Sequence, residues 1–123
     1  MKNKVHVGQP GLMLLDSYCR LVTEAFGPCY LVGECLTRRD YRHVDIRVIM
    51  EDDAFCDLFG GTWSTGHNST RWVLVCSGLT KLLTFVSGVA VDFQIQPETW
   101  STTFFDGQPK VRIGGQNPSM EKA

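Results

Sequence analysis

No uninterrupted apolar run in this chain approaches the roughly 20 residues that span a bilayer, so no membrane helix is expected. The opening MKNKVHVGQP carries two lysines with no apolar core behind them, which argues against a secretory signal. An excess of charge of one sign is missing too. Twelve basic and thirteen acidic side chains leave a formal net charge of -1, so the chain as a whole has no electrostatic footprint for nucleic acid or an anionic membrane. Only locally do Arg38, Arg39, Arg42 and Arg47 gather, around Asp40, and that cluster keeps a nucleic-acid or phosphate contact open. Metal-finger and disulfide spacing is absent as well. Cys19, Cys29, Cys35, Cys56 and Cys76 form no CxxC, and their number is odd. Each falls in or beside a segment that reads as helix or strand, which suits reduced core thiols and a cytoplasmic location. Internal repeats and long low-complexity segments are also lacking.

What remains is an ordinary globular composition, 43% hydrophobic and 20% charged, which excludes wholesale disorder. At 123 residues it suits one domain with one core. Residues 1–9 read as a flexible arm or short edge strand, residues 10–107 as the domain and residues 108–123 as a C-terminal tail.

Within the domain, apolar residues Leu12, Leu15, Cys19, Val22 and Phe26 follow the spacing of a helix closed by Gly27-Pro28. A strand at residues 29–32 ends at Gly33, and a polar loop then leads to a second strand at residues 43–50. A short helix follows, with Glu51, Asp52 and Asp53 at its start and Gly60-Gly61 at its end. GTWSTGHNST reads as a mobile surface loop. Trp72, Val75, Leu79, Leu82 and Val86, with Cys76 and Leu83 beside them, mark another helix, capped by Asn68 or Ser69 and ended by Gly88. In a third strand Val89, Val91, Phe93 and Ile95 alternate with Ala90, Asp92, Gln94 and Gln96 until Pro97. Trp100, Phe104 and Phe105 mark a short helix or turn. This order predicts an α+β (α/β layer) fold, a small mixed sheet of about three strands covered on one side by helices.

Strand side chains alternate between faces, so His43, Asp45 and Arg47 point one way while Val44, Ile46, Val48 and Met50 pack the other. The polar face of the third strand adds Asp92 to the same cleft. Carboxylates placed together need a counter-cation, either a metal or an arginine. Arg47 fits the second role, with His43 as a hydrogen-bonded loop-edge residue, Gly33 as a tight strand exit and the arginine cluster as a solvated turn.

Gly33 at a strand end, a loop, then H-V-D-I-R-V and later V-D-F resemble the nucleotidyltransferase superfamily, to which DNA polymerase β belongs. YLVGECL, DYRHVDIRVIMEDDAF and GVAVDFQIQ resemble, more narrowly, small nucleotidyltransferase-like proteins of bacteria and their phages. The resemblance implies carboxylates holding divalent metal, magnesium or manganese, for transfer of a nucleoside monophosphate from a triphosphate. On that mapping Gly33 matches the family glycine, Glu34 stands at the serine position, His43 at the first carboxylate, Asp45 at the second and Asp92 at the third. An alternative register makes Asp45 the first carboxylate and puts Arg47 in place of the second. Glu34 repels phosphate, and His43 is a nitrogen ligand where magnesium prefers oxygen.

Two readings follow from the resemblance. One is a metal-dependent nucleotidyltransferase with His43, Asp45 and Asp92 as ligands and Gly33, Glu34 and Arg47 toward the phosphates. The other, favoured by the two departures, is a degenerate member that binds or regulates without catalysis. A nucleotide, a protein partner or a second copy of the chain are the expected partners.

Overall fold

The computed structural model describes residues 5–66 and 69–115. In order, the elements are α1 (Gly11–Ala25), β1 (Cys29–Val32), a 3-10 turn (Gly33–Leu36), β2 (Val44–Met50), α2 (Asp52–Phe59), α3 (Thr70–Ser87), β3 (Val91–Pro97), α4 (Glu98–Phe105) and β4 (Lys110–Ile113). The four strands form one mixed sheet in the order β3-β2-β1-β4. β1 runs antiparallel to β2 and β4, and β2 runs parallel to β3. The expected α+β class holds, with a fourth strand added.

That strand corrects the reading of residues 108–123 as a tail. Lys110–Ile113 pairs with β1, and Ile113 is buried in the core. Lys110, Val111, Arg112 and Ile113 alternate polar and apolar, but four residues are too short a run to mark a strand by themselves, and the open edge of β1 calls them into one. The remainder of that segment, residues 116–123, lies outside the described residues, as do residues 1–4 of the expected arm. Within the rest of the arm, Val7 is a core residue and the His6 N–H donates to the Cys35 carbonyl at 2.8 Å.

Alternation along β2 is as regular as the sequence suggested: Val44, Ile46, Val48 and Met50 are buried, and Asp45, Arg47 and Ile49 lie on the opposite face. The core side receives Leu15, Cys19 and Val22 of α1 and Cys76 and Leu83 of α3. The burial stripe of α3 is centred on the Cys76 and Leu83 side of the expected one: Trp72, Val75 and Leu79 pack against the core only in part, Leu82 is exposed, and Cys76, Leu83 and Ser87 are buried. Helices are not confined to one face either. Residues of α4 stand across a cleft from Asp45, Arg47 and Gln96 on the polar side of the sheet.

The orientation of α3 has a cause in the edge of the sheet. β3 is a terminal strand, and its outward backbone groups need partners. α3 supplies them from side chains one turn apart. The Trp72 indole N–H donates to the Ile95 carbonyl at 2.8 Å, and Cys76 Sγ accepts from the Ile95 N–H at 3.5 Å. Thr80 Oγ1 accepts from the Phe93 N–H at 3.0 Å and donates to the Phe93 carbonyl at 3.4 Å, while Thr84 Oγ1 accepts from the Val91 N–H at 3.0 Å. A helical rise of about 6 Å per four residues matches the two-residue step of about 6.6 Å along a strand, so the series stays in register over three contacts. Ser69 caps the start of α3 by accepting from the Trp72 N–H, and Gly88, at φ +77°, ends it in the left-handed conformation. The alternative cap, Asn68, lies outside the described residues.

One further tie orients α4. Asp52, at the start of α2, accepts hydrogen bonds from both the backbone N–H and the hydroxyl of Thr99. It thereby caps the beginning of α4 from another helix.

Replacing Thr80 with Val keeps the shape and strands the Phe93 N–H against an apolar group. Thr80→Val is expected to cost about 1–3 kcal/mol in urea denaturation, whereas Thr80→Ser, which keeps the hydroxyl, costs less.

Candidate functional site

The parallel register places Asp45 directly beside Asp92 on the polar face. Two residues further along β2, Arg47 reaches back between them. Its Nη2 stands 3.4 Å from Asp92 Oδ2 and 3.8 Å from Asp45 Oδ1, while its Nη1 donates to the backbone carbonyls of Asp92 at 2.8 Å and Ile46 at 3.1 Å. His43 Nε2 lies 3.1 Å from Asp45 Oδ1 on the other side. The sequence expectation that His43, Asp45, Arg47 and Asp92 share one face therefore holds in detail.

Their exposures differ in a way that matters for charge. The side chains of Asp45 and Arg47 are 17% and 16% exposed, against 44% for Asp92 and 41% for His43. Burial raises the pKa of Asp45 above its ordinary value; Arg47 and His43 oppose the rise, and the negative charges of Asp92 and Glu34 add to it. Arg47 thus has two carboxylates to balance with one positive charge.

Gly33 lies against this pair. It holds φ at +78°, and a Cβ there would collide with Asp45 Oδ2. The glycine is required twice, by backbone conformation and by the carboxylate packed over it.

Glu34 turns away into a separate network. Arg42 donates to both of its carboxylate oxygens at 3.3 Å and from its own backbone N–H, and Arg38 Nη1 stands 3.7 Å away. The Arg42 hydrogen bonds, first of all, hold the Glu34 carboxyl below its ordinary pKa. Arg38 also makes a two-pronged bond to Asp40, both distances being 3.0 Å. The positive charges of Arg38 and Arg42 are thus matched inside the loop by Glu34 and Asp40. These pairs are exposed and contribute little to stability.

Beside the acidic pair, the polar sheet face and α4 enclose a cleft of about 640 Å³, within the size range of small-molecule sites. Tyr30 forms part of its wall and carries Lys110 Nζ 4.6 Å above its ring. Gln94 and Gln96 line it from β3, joined by a 3.4 Å bond between their amides, and Phe105 closes it from α4. The two glutamines were legible in the sequence as polar positions in phase with Asp92. Phe105 and Lys110 were not found, because no local pattern says that α4 and β4 return to this face, and Tyr30 read only as part of the apolar run of β1.

Comparison with protein families, curated proteins and solved structures returned no match.

As a metal centre the donor set is specific. One ligand atom each from His43, Asp45 and Asp92 lie within 4.8 Å of one another and could hold an ion. Two carboxylates and an imidazole do not suit a pair of magnesium ions, which prefer oxygen ligands in octahedral array. They suit a single manganese or zinc ion better. Arg47 stands against Asp45 Oδ1 and Asp92 Oδ2, so an ion at these carboxylates has to compete with a guanidinium already held by two backbone carbonyls.

As for the cysteines, all five are free thiols: Cys19, Cys29, Cys35 and Cys76 are buried and Cys56 is partly so. Burial pushes Cys35 and Cys76 up to about 11, so both stay protonated and unreactive at neutral pH.

Two outcomes test this geometry. Gly33→Ala is expected to destabilise the fold by more than the ~1–2 kcal/mol of a left-handed alanine, because Asp45 must also move; chemical denaturation measures it. The raised pKa of Asp45 means that the native state binds its proton more readily than the unfolded chain. Stability attributable to this group is therefore lost as pH rises through its folded value. Asp45→Asn is expected to leave stability at neutral pH unchanged or higher and to flatten that part of the stability–pH curve.

Proposed function

We propose that this chain is a nucleotidyltransferase-like protein whose metal and triphosphate site has been converted to an ion-pair network. On this reading it works as a binding or regulatory module and not as a transferase. The observation that carries the proposal is Arg47: its guanidinium lies between Asp45 and Asp92, where the resemblance to nucleotidyltransferases would put divalent metal. Glu34 and His43 support it. Each stands where transfer chemistry would want a different group, and each is engaged with a neighbour, Glu34 with Arg42 and His43 with Asp45.

The adjoining cleft gives such a module its binding surface. It has room for a nucleotide-sized ligand, an aromatic wall at Tyr30, amide groups at Gln94 and Gln96, and positive charge at Lys110, with Asp45 and Asp106 as its acidic members. No step of chemistry is assigned to it, since the residues present do not fit two-metal transfer.

Calorimetry with nucleoside triphosphate, with and without manganese, followed by product detection, tests the proposal. The expected result is no nucleoside monophosphate transfer and no manganese-dependent component of nucleotide binding. Restoring the family residues by Glu34→Ser with His43→Asp in an Arg47→Ala background is expected to raise manganese affinity at least about tenfold, or ~1.4 kcal/mol. Metal-dependent binding by the native chain that Asp45→Ala and Asp92→Ala both abolish, with transfer activity, would overturn it in favour of an active metal-dependent transferase.

A further inference from the structure

The outward face of α3 is an apolar surface that neither the fold nor the cleft uses. On the inward face, Trp72, Cys76, Thr80 and Thr84 engage β3, and Leu83 enters the core. On the opposite face, Arg71, Leu74, Gly78, Leu82 and Phe85 are all exposed. At 100° per residue these five fall within an arc of about 80°, one continuous stripe along a helix of about 27 Å. Phe85 is 86% exposed and Leu74 67%, values unusual for large apolar side chains placed in line.

The stripe is symmetric in its spacing. Gly78 stands at its centre, with nothing within 4 Å of the position of a Cβ. Leu74 and Leu82 lie four residues to either side, and Arg71 and Phe85 lie seven. We propose that this face pairs with the same face of a second copy of the chain, the two α3 helices running antiparallel about a two-fold axis at Gly78. In that arrangement Leu74 packs on Leu82 of the partner subunit, and Phe85 packs on Arg71 of the partner subunit.

Several features select a second copy as the occupant. A two-fold interface must be self-complementary, and this stripe is. Arg71, its one charged group, meets an aromatic ring, a favourable cation–π contact. Gly78 removes the side chain where two helices approach most closely. Lys81, the other charge on α3, lies on the flank, and its two copies stand about 9 Å apart along the helix pair, near a Debye length at ordinary salt. The area covered is on the order of 500 Å² per protomer, below the ~800 Å² of a standard interface. An interface of that size belongs with reversible dimers and not with obligate ones.

Sedimentation velocity on the full chain between about 1 µM and about 200 µM tests the proposal. The expected result is a concentration-dependent passage from monomer to dimer. Leu74→Glu is expected to weaken association at least tenfold, and the double variant Leu74→Glu with Leu82→Lys to restore it, since only the antiparallel pairing sets those two positions against each other. Circular dichroism confirms that these surface variants stay folded. A chain that remains monomeric at the highest concentration overturns the proposal and leaves the stripe to a different partner. A dimer indifferent to Leu74→Glu, or a double variant that stays dissociated, overturns this interface.

Discussion

Two carboxylates set side by side on adjacent parallel strands require a cation, and much of the site follows from how this chain supplies one. Asp45 and Asp92 are held together by backbone register, so their repulsion cannot be relieved by moving either strand. Arg47 shares the strand face with Asp45 and is fixed by two backbone carbonyls, which spares it the mobility of an ordinary surface arginine. Gly33 is then obligatory, since the Asp45 carboxylate occupies the space of a side chain there. A metal is the other way to satisfy such a pair. In the function proposed above, the choice between guanidinium and metal is what separates a binding module from a transferase.

That pairing depends on β3 staying in place at the end of the sheet. The hydrogen bonds from Trp72, Cys76, Thr80 and Thr84 of α3 give β3 a second set of partners in place of a further strand. A net hydrogen bond contributes only about 1 kcal/mol, but each of these also prevents the larger cost of a buried, unpaired backbone group. The same orientation that turns those polar side chains inward turns Leu74, Leu82 and Phe85 outward. Edge protection and the exposed apolar stripe are two faces of one helix.

Much of this was legible in the chain. The 3,4 spacing of α1 and the strict alternation of β2 identify their inward faces nearly residue by residue, because both elements pack one face against a common core. On α3 the spacing finds the helix and most of its inward face, but wrongly includes Leu82 and leaves out Thr80 and Thr84. Thr80 and Thr84 look like interruptions of an apolar stripe until the edge of β3 is seen to need donors and acceptors. β4 and Val7 escape for a different reason. Lys110–Ile113 is short and half charged, and Val7 is a lone apolar residue in a polar stretch, so each is ordered only by what it meets.

The sequence by itself determined which groups share the polar face of β2, since a period of two leaves His43, Asp45 and Arg47 no other arrangement once Ile46 and Val48 are buried. It also determined α1, α2 and α3 and the α+β class, leaving α4 open between helix and turn. Tertiary structure alone decided that β3 runs parallel beside β2 with Asp92 in register with Asp45, that Arg47 stands between the two, and that α4 and β4 come round to make a cleft. Those are contacts between residues up to 80 positions apart, as from Tyr30 to Lys110, and local periodicity carries no information about such pairs. They are set by which edges and faces remain unsatisfied after the local elements have formed.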